Sequence, residues 1–170
     1  MKDWNHYPVT QAPCDGRFCV APDRLSHSAL GAADNLTETG NILLYGFTNK
    51  KAETLIPLAR SWNHPPEIAT SNGGISHGYD KSQRAYIIAA KSKEVEFRLN
   101  GSDKSPIHNP CFVIKGWDGG ASVFIDGKMV SKNKNVRQGL VRDTNGKLNL
   151  IIWLMIEKNI PSEFRFRKSK

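Results

Sequence analysis

The chain has 170 residues, 39% of them hydrophobic, with 14 glycines and 9 prolines. That is long enough to bury a real core, too rich in turn formers for a helical bundle, and free of any apolar run near membrane-spanning length. The formal net charge is +8; residues 1–90 balance at 8 cations and 8 anions, so the whole excess lies in residues 91–170, where 16 face 8.

Residues 1–40 show no sustained periodicity. "HYPVTQAPCDGRFCVAPDRLSHSALGAADNLTETGN" carries Pro, Gly, Asp and Asn throughout, and reads as an irregular segment that wraps a sheet. Within it, "CDGRFC" brackets an Asp-Gly turn with Cys14 and Cys19, which fits either a small disulfide loop or plain thiols. No second cysteine pair or histidine cluster joins them, which argues against zinc. Cys111 reads as a buried thiol. No apolar signal segment follows Met1, so the chain reads as cytoplasmic or as a domain of a secreted parent.

Residues 41–170 read as the sheet-forming part. "ILLYGF" (42–47) is the first clear strand. "TLIPLARSW" (54–62) is expected to be the second, at an edge because of Pro57, with at most one helical turn near "NKKAETL" before it. "SNGGISHGYDKSQ" (71–83) reads as a loop. "RAYIIAA" (84–90) and "VEFRLN" (95–100) read as a hairpin, with Val95, Phe97 and Leu99 on one face. "CFVIKGW" (111–117) follows a Pro-containing turn. "SVFIDGKMV" and "DTNGKLNLIIWLMI" place Asp126-Gly127 and Asn145-Gly146 between apolar strands, the strongest short hairpin signal. "EFRFR" (163–167) alternates again. Many short strands with hairpin turns predict an all-β fold: an antiparallel, jelly-roll-like β-sandwich, with "IIWLMI" and "CFVIKGW" in its core.

Trp62 opens the functional question. "SWNH" sets a flat ring beside two polar partners, Asn63 and His64, and Pro65 and Pro66 stiffen the chain immediately after them. A sugar site needs such a ring for the apolar face of a pyranose, with amides, imidazoles and guanidinium groups for its hydroxyls. The same ring also reads as a plug that caps the sandwich core, with the prolines merely turning the chain. Trp117, at the end of a strand before the turn "DGG", has the same two readings. Trp153 lies amid apolar residues and is expected in the core. His77 and Tyr79 sit with Arg84 in the 71–84 region, where loop residues carry either function or a solvated turn. Arg60, Arg84, Lys115 and Arg142 are candidates for anionic groups, since guanidinium forks onto sulfate or carboxylate and ammonium acts as a point charge.

Other functions find little support. Ser26, His27 and Ser28 are neighbours, so on a strand they point to opposite faces and make no nucleophile–base pair. No histidine has metal-ligand spacing. The cation-rich stretch "KMVSKNKNVRQGLVR" (128–142) has few aromatics to stack bases, and no nucleic-acid fingerprint is legible. The same stretch also reads as a charged, solvated edge hairpin. No cofactor is called for; "DGG" and "DNLTETGN" offer the oxygen ligands that a structural calcium takes, but such loops are more often turns.

From "GRFCVAPDRLSHSALG" through "YGFT", "LIPLARSWNHPPEI", "YDKSQRAY", "SPIHNPCFVIKGW" and "VFIDGKMV" to "LIIWLMIE", the chain resembles the C-terminal β-sandwich region of large secreted bacterial polysaccharide-degrading enzymes. Polysaccharide lyases are the nearest kind, including those acting on sulfated algal glycans such as ulvan. The resemblance covers most of residues 16–167. It implies a β-sandwich, a polysaccharide context and a secreted or periplasmic location as part of a larger protein. It transfers no catalytic residue.

The expectation is therefore a non-catalytic carbohydrate-binding module for an acidic or sulfated polysaccharide. Its site would draw on Arg60, Trp62, Asn63, His64, His77, Tyr79, Arg84, Lys115, Trp117 and Arg142. The partners are the anionic polysaccharide and the catalytic domain of a parent enzyme, with neither nucleic acid nor membrane. The alternatives are an accessory sandwich that completes a lyase cleft only beside its partner domain, and a structural domain with no ligand.

Overall fold

The computed structural model describes residues 56–131 and 134–169, with the backbone of three short strands before them. The chain divides into two compact units, residues 1–64 and 65–170. Most of residues 1–40, expected to be an irregular wrapping segment, and Cys14, with its candidate pairing to Cys19, lie outside the described residues; 18–20 and 25–27 are strands.

In the first unit, β1 (Phe18–Val20), β2 (Leu25–His27) and β3 (Ile42–Leu44) form a three-stranded antiparallel sheet in the order β2-β1-β3. It is followed by α1 (Ile56–Asn63), where an edge strand was expected. Pro57 explains the difference. In the first turn of a helix a proline's missing N–H is no loss and its fixed φ is already helical. Leu58, Ala59 and Arg60 then favour propagation. The Ser61 hydroxyl donates back to the Leu58 carbonyl, 2.7 Å, and the His64 N–H to that of Arg60, 2.8 Å. Pro65 and Pro66 end the run.

The second unit is the expected β-sandwich. Its strands are β4 (Ile68–Asn72), β5 (Gly74–Asp80), β6 (Ala85–Ala90), β7 (Glu94–Leu99), β8 (Ile107–His108), β9 (Cys111–Lys115), β10 (Ala121–Ile125), β11 (Lys128–Val130), β12 (Val136–Arg142), β13 (Leu148–Leu154), β14 (Glu157–Lys158) and β15 (Ser162–Lys168). One five-stranded sheet runs β11-β10-β15-β7-β4 and the other β12-β13-β9-β6-β5, while β8 and β14 pair separately. The chain changes sheet repeatedly, and β6 lies parallel to β9, so the second sheet is not purely antiparallel. β6 and β7 belong to different sheets and are not the hairpin expected of 84–100. The stretch 71–83 is mostly strand, not loop: β5 pairs with β6.

The two inner faces meet on an aromatic cluster. Phe97, Phe164 and Phe166 of the first sheet pack on Phe112 of the second, with ring centroids 5.2–5.5 Å from Phe112, and Tyr86 stacks on Phe112 from its own sheet. All four phenylalanines are fully buried. The Asp126-Gly127 hairpin forms as expected; both residues have positive φ, 49° and 77°, the mirror-image turn that matches strand twist. β11 stops at Val130, opposite Val123, so it does not reach Ala121. Gln138 takes over there. Its Oε1 accepts the Ala121 N–H at 2.9 Å and its Nε2 donates to the Ala121 carbonyl at 2.7 Å, a side-chain amide continuing the ladder.

Two substitutions test this packing by urea unfolding. Phe112→Ala is expected to lower stability by about 3–5 kcal/mol, because a cavity opens between the sheets. Gln138→Ala is expected to cost about 1–3 kcal/mol, because the buried Ala121 backbone loses both partners.

Candidate functional site

The ten candidate residues divide between the two units, and within the sandwich they do not gather at one place. Arg60, Trp62 and Asn63 lie on α1, and His64 follows it, all in the first unit; Trp62 is half-buried. His77, Tyr79 and Arg84 share the β5–β6 hairpin. Lys115 ends β9 and is exposed, beside Asn149, and Arg142 ends β12 opposite Leu148.

Trp117 is not a platform. It is 2% exposed and belongs to the core. Gly116, at φ 73°, turns the chain after β9 so that the following ring goes inward, and the indole N–H faces the Gly120 carbonyl at 3.4 Å. Trp153, expected in the core, faces the other way. It shares the outer side of β13 with Ile151, half-buried, and the Arg137 guanidinium lies 5.1 Å from its centroid.

Tyr79 is built into the sandwich rather than held out. Its ring meets Tyr86 edge-on at 5.0 Å, and its hydroxyl is buried without a hydrogen-bond partner. Burial pushes its pKa up to about 12, against a smaller opposing pull from Arg84. Tyr86 is also raised by burial, and its hydroxyl donates to the Pro66 carbonyl at 2.8 Å. Asp80 organises the turn beside them. The Ser82 hydroxyl and the Gln83 amide donate to its carboxylate, at 2.6 and 2.7 Å, and hold its pKa down to about 2.

A concave site lies elsewhere in this unit, where β7 begins and β15 ends. A cleft of about 520 Å³ is lined by Lys93, Glu94, Arg167, Lys168 and Ser169. Strand register builds it. Arg167 stands opposite Glu94 on one side and Ser122 on the other, and its Nε donates to the Glu94 carboxylate. The Lys168 N–H bonds the Lys93 carbonyl at 2.8 Å and the Ser169 N–H bonds that of Gly120 at 2.9 Å, which fixes the end of β15. The Lys168 ammonium pairs with Asp118 and holds that carboxyl below its ordinary range. Three cations and a hydroxyl thus meet at one opening, while Glu94 and Asp118 orient two of the cations. Guanidinium and ammonium groups are donors of the kind that carboxylate or sulfate accepts.

None of the lining side chains is an imidazole or a thiol. Among the described residues no group of three or more His, Cys, Asp or Glu is placed to hold a metal ion, and no helix is long and apolar enough to cross a membrane. Comparison with family models, curated proteins and solved structures finds no match.

Tyr79→Phe separates the structural role of this ring from a ligand role. Removing an unpartnered buried hydroxyl is expected to raise stability by on the order of 1 kcal/mol at neutral pH. In the wild type the folded state holds the phenolic proton more tightly than the unfolded chain. That contribution is complete below pH 10.0 and is lost as pH rises toward about 12. The variant should show a flatter loss of stability over that window when thermal unfolding is followed against pH.

Proposed function

We propose that the sandwich unit is a non-catalytic module that binds an acidic or sulfated polysaccharide at the cleft between the start of β7 and the end of β15. The observation that supports this reading is the convergence of Lys93, Arg167, Lys168 and Ser169 on one opening about 520 Å³ in volume. Arginine supplies planar paired donors, lysine supplies mobile point charge, and the hydroxyl adapts to either donor or acceptor. With Trp117 in the core, recognition rests on charge and hydrogen bonding more than on ring stacking. In this reading the module works beside the catalytic domain of a larger exported enzyme, a context that rests on the sequence resemblance alone.

Affinity electrophoresis in gels containing ulvan, carrageenan, alginate, chondroitin sulfate or a neutral glucan, at low and high salt, tests it. Retardation by one charged glycan that persists in high salt, and that is lost in Lys93→Glu and Arg167→Gln, is the expected result. Retardation by every polyanion, erased by salt, would reduce the site to a basic surface. No retardation by any of them would overturn the reading.

A further inference from the structure

The sandwich has four outer edges, and three are blunted. β4 carries an irregularity between Ile68 and Thr70, β5 another between Ser76 and Tyr79, and β11 is only 3 residues long. Bulges and short length are two of the devices that keep an edge from recruiting another strand. β12 has neither. Its 7 residues pair with β13 in unbroken register from Val136↔Leu154 to Arg142↔Leu148. Among the described residues no backbone hydrogen bond reaches its free side. Its sequence, "VRQGLVR", contains no proline, and Leu140 and Val141 stand 46% and 48% exposed.

Charge selects the occupant. Arg137 and Arg142 are exposed on the strand, with Lys134 and Lys147 exposed just beyond its ends. The adjacent acid, Asp143, already accepts the N–H groups of Asn145 and Lys147 through Oδ1, each at 2.9 Å. A second copy of β12 brings no carboxylate to either arginine and gathers four guanidinium groups on one ribbon, which opposes self-pairing. Arg137 and Arg142 stand on opposite faces of the strand, so an extended chain with one acid on each of its own faces, five residues apart, satisfies both the backbone and the cations.

We propose that the free edge of β12 accepts an extended acidic peptide segment of a partner protein as a sixth strand of its sheet. Main-chain hydrogen bonds supply the pairing, Leu140 and Val141 each contact an apolar side chain of the peptide on opposite faces of the sheet, and the cations fix its sign. This goes beyond glycan binding at the cleft and does not depend on it.

The test uses the 170-residue chain and a synthetic peptide of about ten residues built of Val and Thr, with two Glu five positions apart so that one lies on each face. A control has the same side chains but an N-methylated backbone, which keeps charge and removes donors. Backbone amide exchange is followed by NMR. The expected result is slowing of exchange by about tenfold or more within residues 136–142, with the first peptide only. Arg137→Glu combined with Arg142→Glu should abolish that protection while the variant stays folded, as unchanged amide protection in the core strands would show. Equal shifts from both peptides, or the same protection from a chondroitin sulfate fragment, would show charge attraction without strand addition and overturn the proposal. Protection without peptide, accompanied by dimerisation in sedimentation, would also overturn it, in favour of a second copy.

Discussion

Contact between two sheets of phenylalanine rings is the constraint on which the sandwich depends. Phe112 is the second sheet's contribution to it, and Phe97, Phe164 and Phe166 are the first sheet's. These rings fill the space between layers with few internal degrees of freedom, so the two sheets are held in one registration. Strand order follows from the same demand. Each strand that supplies a ring must also be a central or near-central member of its sheet, and β7, β9 and β15 are.

The outer surfaces carry the charge. On the first sheet, register sets Glu163 opposite Arg98, Glu96 opposite Arg165 and Glu94 opposite Arg167, an alternating ladder of opposite charges. Each such pair contributes little to stability in water. Their larger effect is placement. The ladder aligns Arg167 at its upper end, where Lys93 and the Asp118-paired Lys168 are its neighbours. The Arg165 guanidinium lies 4.6 Å from the Phe124 centroid, so that ring is covered rather than offered to a ligand. The candidate site therefore sits where the ladder runs out, and it needs no loop of its own.

Much of the sandwich is legible in the residues. Alternation in "VEFRLN" and "EFRFR" names both the strands and their inward faces, because side-chain direction on a strand has period two. Asp126-Gly127 names its hairpin because positive φ at both positions is cheap there. Other features are not local. The strand signals in 84–90 and 95–100 are compatible with one sheet or two, and only packing decides between them. The Gly, Ser and His residues of 71–83 suggest a loop, yet an edge strand with a bulge tolerates them. Trp117 took the core reading of its two because the turn at Gly116 sends its ring inward, whereas Trp153 left the expected core because the parity of β13 puts it on the outer face. The cleft was half legible: "FRFRK" shows Arg165 and Arg167 on one face, but bringing Lys93 beside them requires the β7–β15 register, which is written in no single segment.

β15, the last strand described, lies in the middle of the first sheet, between β10 and β7. Synthesis proceeds from the N-terminus, so this strand leaves the ribosome after every neighbour it must join. Until residues 162–168 emerge, β10 with β11 and β7 with β4 are two separate ribbons, and the core lacks Phe164 and Phe166. Translation thus has no foldable intermediate product in this unit that is merely shorter than the finished one. A nascent chain interrupted just before this strand is missing its keystone, presents two open seams, and is a natural substrate for chaperones and proteases.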